Sequence, residues 1–204
     1  GQVDLTLEII QNLRAAQVPV VVYIAPRGAQ AASAGTLITL AAHAAVMAPE
    51  TVIGAASPIG LGQELSDTEE RKAKEDLKAT IRSLAERPGA EASSLAEATI
   101  QGAKAAHANE ALEAGLVDLV ADDLESLLKG LDGLTVEVGG QPVVLDLANA
   151  SNVEAPLNPL ERLLHTVVNP TIVTVLTAIG VQAILIELSN PGGWIAGFVG
   201  VVCL

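Results

Sequence analysis

The chain has 204 residues, half of them hydrophobic but only 1% aromatic, and carries a net charge of −13. That acidity excludes a nucleic-acid partner, which needs a basic footprint. A single cysteine, Cys203, excludes an intrachain disulfide, and the three scattered histidines His43, His107 and His165 lack ligand spacing, so no metal site is expected.

In chain order, Asp4 or Thr6 starts a helix carrying Leu5, Ile9, Ile10 and Leu13 at helical spacing. Residues 18–25 are apolar, continuous and mostly β-branched, so they read as a buried strand, with Pro19 tolerated at its start. Pro26-Arg27-Gly28 is a turn into a run of small residues containing Ser33. Residues 37–45 are rich in Ala and Leu and read as a buried helix. Residues 45–48 read as a short strand, followed by a Gly/Pro/Ser-rich loop over 49–66. Within it, residues 54–62 read as a mobile loop near a cleft. Gly60-Leu61-Gly62 lacks the helix cap and the Lys-Ser/Thr of a phosphate loop, so no cofactor is expected.

Residues 67–87 are charged, periodic and free of breakers, with an apolar stripe of Ala73, Leu77, Ile81 and Leu84, and predict a long helix. Residues 90–101 predict a second helix, and Asn109 caps a short third one that Gly115 ends. Residues 116–121 read as a strand, and Asp122 starts a helix to about Leu131. This alternation argues for an α/β fold with parallel strands. Residues 134–145 read as a hairpin turning at Gly139-Gly140, with Pro142 marking an edge strand.

Residues 151–159 form a polar, Pro-containing linker, and residues 160–165 an amphipathic turn or two suited to a bilayer surface. Residues 171–188 are almost wholly apolar, interrupted by Gln182 and Glu187, and approach the roughly 20 residues that span a bilayer. The competing reading is a buried core helix. Asn190-Pro191-Gly192-Gly193 is a turn, Trp194 suits an interface, and residues 195–204 begin a second span.

Ser33 carries the candidate chemistry. It stands at a strand-to-helix turn, where the first helical N–H groups lack partners and carry the positive end of the dipole. A hydroxyl there can attack a carbonyl while a neighbouring N–H holds the oxyanion. The bland alternative is an N-cap before a packing helix. A serine nucleophile also needs a base. His43, ten residues on, would lie about 15 Å away on one helix, and neither His107 nor His165 sits in a triad motif. The other class of base is a desolvated lysine amine. Lys72, Lys74 and Lys78 all fall on the helix predicted over 67–87, where solvated charge is the ordinary alternative.

Gly28-Ala29-Gln30-Ala31-Ala32-Ser33-Ala34-Gly35-Thr36 resembles the nucleophile segment of ClpP-like and signal-peptide-peptidase-like serine proteases. More closely, it resembles the NfeD family of membrane-bound serine proteases, whose genes pair with stomatin-like partners. The resemblance continues through residues 46–58, Ile81-Arg82-Ser83-Leu84-Ala85-Glu86, residues 110–118 and Glu187-Leu188-Ser189-Asn190-Pro191-Gly192. It implies a ClpP/crotonase-like α/β domain over residues 1–150 lacking its first units, a linker and interfacial helix over 151–165, and a membrane region over 166–204. It implies Ser33 as nucleophile and Lys72 as base, nine residues before Ile81, with Lys74 in reserve. Its oxyanion hole maps to the N–H groups of Gly1 and Ala34. The chain begins at Gly1 without Met and stops in an apolar run, so it is expected to be a fragment, with further segments before and after. The family also implies a homo-oligomer in a lipid bilayer, its protease part outside the cytoplasm, cleaving apolar peptide segments of a stomatin- or prohibitin-like membrane protein. Two other readings stay open: a non-catalytic membrane scaffold for such a partner, and an acyl-CoA enzyme of the crotonase fold.

Overall fold

The computed structural model describes residues 2–56, 75, 78–84, 90–189 and 193–204. It divides into two compact units, Gly1–Ala150 and Ser151–Leu204.

The first unit holds two three-stranded sheets. One has the order β1-β3-β6, with β1 (Val21–Ile24), β3 (Ala44–Met47) and β6 (Leu119–Val120) all parallel. Its centre, β3, is Ala-Ala-Val-Met and buried at every position, as a strand covered on both faces must be. The other has the order β2-β4-β5, with β2 (Gln30–Ala32) parallel to β4 (Val52–Gly54) and β5 (Ala105–His107) antiparallel to it. The expectation of parallel strands therefore fails at β5. The chain between them, residues 55–104, includes helices yet returns through Lys104, whose carbonyl accepts from the Ala55 N–H at 2.9 Å, to lie antiparallel on β4.

Several boundaries differ from expectation. The first helix, α1 (Gln2–Arg14), begins before Asp4, since neither Gln2 nor Val3 blocks a helical turn. The strand at 18–25 shrinks to β1, with Val18 64% exposed outside it. The following helix, α2 (Ala34–Ala41), stops four residues short of Ala45, because 44–47 pair with β1 instead. The loop expected over 49–66 contains β4, and its residues 57–66 lie outside the description. Of the helix expected over 67–87, residues 75 and 78–84 are helical, the latter stretch being α3. Ile81 and Leu84 of the predicted stripe are buried there; Ala73 and Leu77 fall outside the described residues.

Further along, α4 (Ala90–Gln101) matches its predicted span. His107, not Asn109, is the N-cap of α5 (Ala108–Glu113), and Gly115 follows it with φ 74°, the left-handed residue that ends a helix. Asp123, one residue later than expected, caps α6 (Leu124–Leu131) by accepting from the Ser126 N–H. That bond holds the Asp123 carboxyl below its ordinary range. The hairpin of β7 (Thr135–Val138) and β8 (Gln141–Val144) turns at Gly139-Gly140, both at positive φ as a two-residue turn requires.

Two apolar clusters bracket the β1-β3-β6 sheet. One gathers Leu37, Leu40, Met47, Ile53, Ile81 and Ile100. The other gathers Val46, Leu127, Leu131, Val136 and Val138. Arg27, in the turn after β1, reaches Glu50 (2.9 Å) and Asp122 (2.5 Å), so one guanidinium joins the segments following β1, β3 and β6. The Asp122 hydrogen bond and the Glu50 charge raise its pKa.

In the second unit, α7 (Pro159–Val167) opens with a full capping box. Asn158 accepts from the Glu161 N–H, and the Glu161 carboxylate accepts from the Asn158 N–H, both at 2.8 Å. The next helix, α8 (Pro170–Ser189), holds a stretch of mean hydropathy 2.0 that is only 6% buried, unlike the core helix of the competing reading. The last, α9 (Ile195–Cys203), packs back along it. The close approach needs glycine: a Cβ on Gly200 would stand 2.6 Å from Ile184 and 3.0 Å from the Gly180 carbonyl. The Glu187 carboxylate accepts from the N–H groups of Trp194 (3.1 Å) and Gly197 (3.2 Å), holding the N-terminus of α9 from the neighbouring helix. The expected turn at Asn190-Pro191-Gly192 lies outside the described residues.

Candidate active site

Ser33 joins β2 to α2 and is exposed. Its backbone is at φ 52° and ψ −119°, the angles a type II′ turn asks of its first central residue, where glycine is the usual occupant. An L-residue is strained there. The neighbours explain how it is held. The Ser33 N–H points back at the Gly54 and Ala55 carbonyls, 3.3 Å from each, and the Ser33 carbonyl accepts from the Thr36 N–H at 3.1 Å. The N-cap alternative fails on geometry, since the Ser33 hydroxyl makes no capping bond. The Ala34 N–H, first of α2, finds no acceptor among the described residues.

Thr36 is the part that sequence reasoning missed. Its fully buried hydroxyl lies 2.8 Å from the Ala31 carbonyl and 2.9 Å from the Gly54 carbonyl, and accepts from the Gly54 N–H at 3.1 Å. One side chain in the first turn of α2 thus pins β2 to β4 beside Ser33. The signal was available: a polar residue inside the apolar run after Gly35 has to find partners once buried. Thr36→Val is expected to leave the Gly54 N–H buried and unmet, at a cost of about 1–3 kcal/mol. Thr36→Ser keeps the hydroxyl and most of the stability; the denaturation midpoints of the two variants check this.

Gly54 and Ala55 are equally special. Gly54 has φ +129° and Ala55 φ 48°, and the Ala55 N–H donates to the Lys104 carbonyl at 2.9 Å. A Cβ at Gly54 would fall 2.3 Å from that same carbonyl oxygen. The region expected as a mobile loop, 54–62, therefore begins on Gly54, the last residue of β4; its residues 57–62 lie outside the description.

His43 follows the opposite end of α2, where its Nδ1 accepts from the Val20 N–H (3.0 Å) and its own N–H donates to the Val20 carbonyl (2.9 Å), fastening β1 to β3. His107 caps α5 and is exposed, and His165 is exposed on α7. Lys72, Lys74 and Gly1 lie outside the described residues, while Lys78 pairs with Glu75 at 2.8 Å. A cavity of about 570 Å³ opens beside Ala42, His43, Asp118 and the Gly139-Gly140 turn; Ser33 and Ala34 do not line it.

A short strand, a strained exposed serine and a helix opening directly after it define an α/β protein with a sharp strand-to-helix turn at Ser33. No family model matches. The membrane-bound protease PH1510 of Pyrococcus horikoshii is 33% identical over 208 residues, covering all of this chain and 47% of that protein. The solved 1510-N membrane-bound stomatin-specific protease superposes in two variant forms. One, a lysine-to-alanine variant in complex with a substrate peptide, has a TM-score of 0.69 and 32% identity, covering 79% of this chain and 75% of that one. The other, a serine-to-alanine variant, has a TM-score of 0.67 and 34% identity, covering 76% of each. The chain belongs to this NfeD-like family of membrane-bound proteases. It spans about half the length of the curated relative.

Proposed function

We propose that this chain carries the catalytic part of a membrane-bound serine endopeptidase, with Ser33 as nucleophile. The observation that carries the reading is Ser33 itself, exposed, strained and without a capping bond, beside an Ala34 N–H that meets no acceptor among the described residues. The Ser33 oxygen attacks the scissile carbonyl while a neutral lysine amine takes the hydroxyl proton. The Ala34 N–H, with that of Gly1, holds the developing oxyanion. The ammonium then returns its proton to the leaving amine, and water hydrolyses the acyl-enzyme through the same lysine.

Two countings reach the lysine. Nine residues back from Ile81 on the family pattern is Lys72, the favoured base. The interval between the altered serine and the altered lysine of the two solved variants equals that from Ser33 to Lys74, which keeps Lys74 in reserve. The substrate is an apolar segment of a stomatin-like membrane protein, in keeping with the specificity and bound peptide of the relatives. The helices α8 and α9 anchor a multi-pass homo-oligomer with its protease part outside the cytoplasm.

The test is cleavage of such a peptide, with labelling by a serine-reactive probe, in the full-length protein. Lys72→Ala is expected to lose at least about a hundredfold in cleavage, the scale of a missing general base, while Lys74→Ala retains most of it. The reverse result moves the base to Lys74. Probe adducts elsewhere than Ser33, or a silent protein that still captures its partner, would replace the enzyme with a scaffold.

A further inference from the structure

We propose that α7 lies flat in the headgroup boundary of the bilayer, its apolar face in the lipid. This rests on the reading of α8 as a membrane span. Leu160, Leu163, Leu164 and Val167 recur at the i, i+3, i+4, i+7 spacing of one helix face. They are 64%, 59%, 54% and 46% exposed, and Val168, which continues the stripe, is 71% exposed. The opposite face holds Glu161, Arg162, His165 and Thr166.

Three observations select lipid as the occupant. Only Val168 and Asn169 separate α7 from α8, and the Asn169 side chain accepts from the Thr171 N–H at 3.0 Å, which ties the junction. Helix length then keeps Leu160 within roughly 15 Å of the start of α8, so the stripe cannot leave the membrane surface once α8 is inserted. The capping box starts α7 from its own residues, without a protein neighbour. Finally, Glu161 and Arg162 offset each other, so the face has no charge pattern to recruit an acidic or basic protein. A helix with a narrow apolar stripe and a polar back is the form that settles about 5–10 Å into the headgroup and acyl boundary.

The test uses the full chain with Cys203→Ser, reconstituted in phosphatidylcholine vesicles. Single cysteines carrying nitroxide labels replace Leu163, Val167, Arg162, Thr166 and, within α8, Ile179. Collision with oxygen and with a water-soluble nickel chelate reports the surroundings of each. Labels at Leu163 and Val167 are expected to favour oxygen over nickel by several-fold, and those at Arg162 and Thr166 to favour nickel. Ile179 must favour oxygen most strongly. If Ile179 is in lipid while all four α7 positions meet nickel equally, the proposal fails and the span stands. Shielding of Leu163 and Val167 from both agents would mean that protein covers the stripe, which also overturns it. If Ile179 meets nickel, the span reading falls and this proposal with it.

Discussion

Replacing Ser33 by glycine is expected to abolish cleavage and stabilise the fold at the same time. Loss of the proposed nucleophile should reduce turnover on the order of a thousandfold or more. The gain follows from φ 52° and ψ −119°, which only glycine adopts without strain. Relief of that strain is worth about 1–3 kcal/mol, and the extra freedom of an unfolded glycine returns roughly 0.5–1 kcal/mol of it. The net is a rise of about 1 kcal/mol. Ser33→Ala loses the same activity but keeps the strain, so it should fall below Ser33→Gly in the same titration. Denaturant midpoints at constant slope decide the comparison. If Ser33→Ala proves the more stable, the elbow is relaxed and its special geometry explains nothing.

Gly54→Ala is expected to be the most damaging single methyl among the described glycines. The new Cβ would meet the Lys104 carbonyl oxygen at 2.3 Å and the Ala105 Cα at 2.9 Å, and both are backbone atoms in β5 or its approach. Neither can swing aside as a side chain could. The carbonyl of Gly54 also faces the Ser33 N–H, and its N–H feeds Thr36. A loss of about 3–5 kcal/mol places it among the exceptional substitutions, against a total stability of roughly 5–15 kcal/mol for a domain. Gly133→Ala is the control. Its φ of +78° is also left-handed, but nothing lies within 4 Å of its added Cβ. It should cost only about 1–2 kcal/mol. Equal losses at the two sites would mean that dihedral strain alone, without the clash, sets the cost.

The long periodic elements were readable from residue spacing, and the short strands were not. The helices α4, α6 and α8 came from runs of eight residues or more, and the β7–β8 hairpin from its paired glycines. By contrast β2, β4 and β5 have three residues each, too few for alternation to register, and their sequences are small or turn-prone. They exist because their neighbours pair with them, a tertiary effect. The same holds for the site. The small residues around Ser33 marked the turn, but the sign of its φ depends on acceptors at Gly54 and Ala55, more than twenty positions away in sequence. His43 was read on the wrong side of a helix end for a similar reason: pairing of β3 with β1 claims residues 44–47 before α2 can extend.

In a bilayer, the Glu187 contact sets a depth. A carboxylate whose two oxygens hold the Trp194 and Gly197 N–H groups cannot be drawn into hydrocarbon without breaking those bonds or shedding its charge. Trp194, 83% exposed, belongs at the same level. With α8 spanning as proposed, that end of the helical pair would sit at the water boundary, and the 20 residues of α8 would reach about 30 Å from it. A thinner membrane has to tilt the pair, because it cannot be submerged.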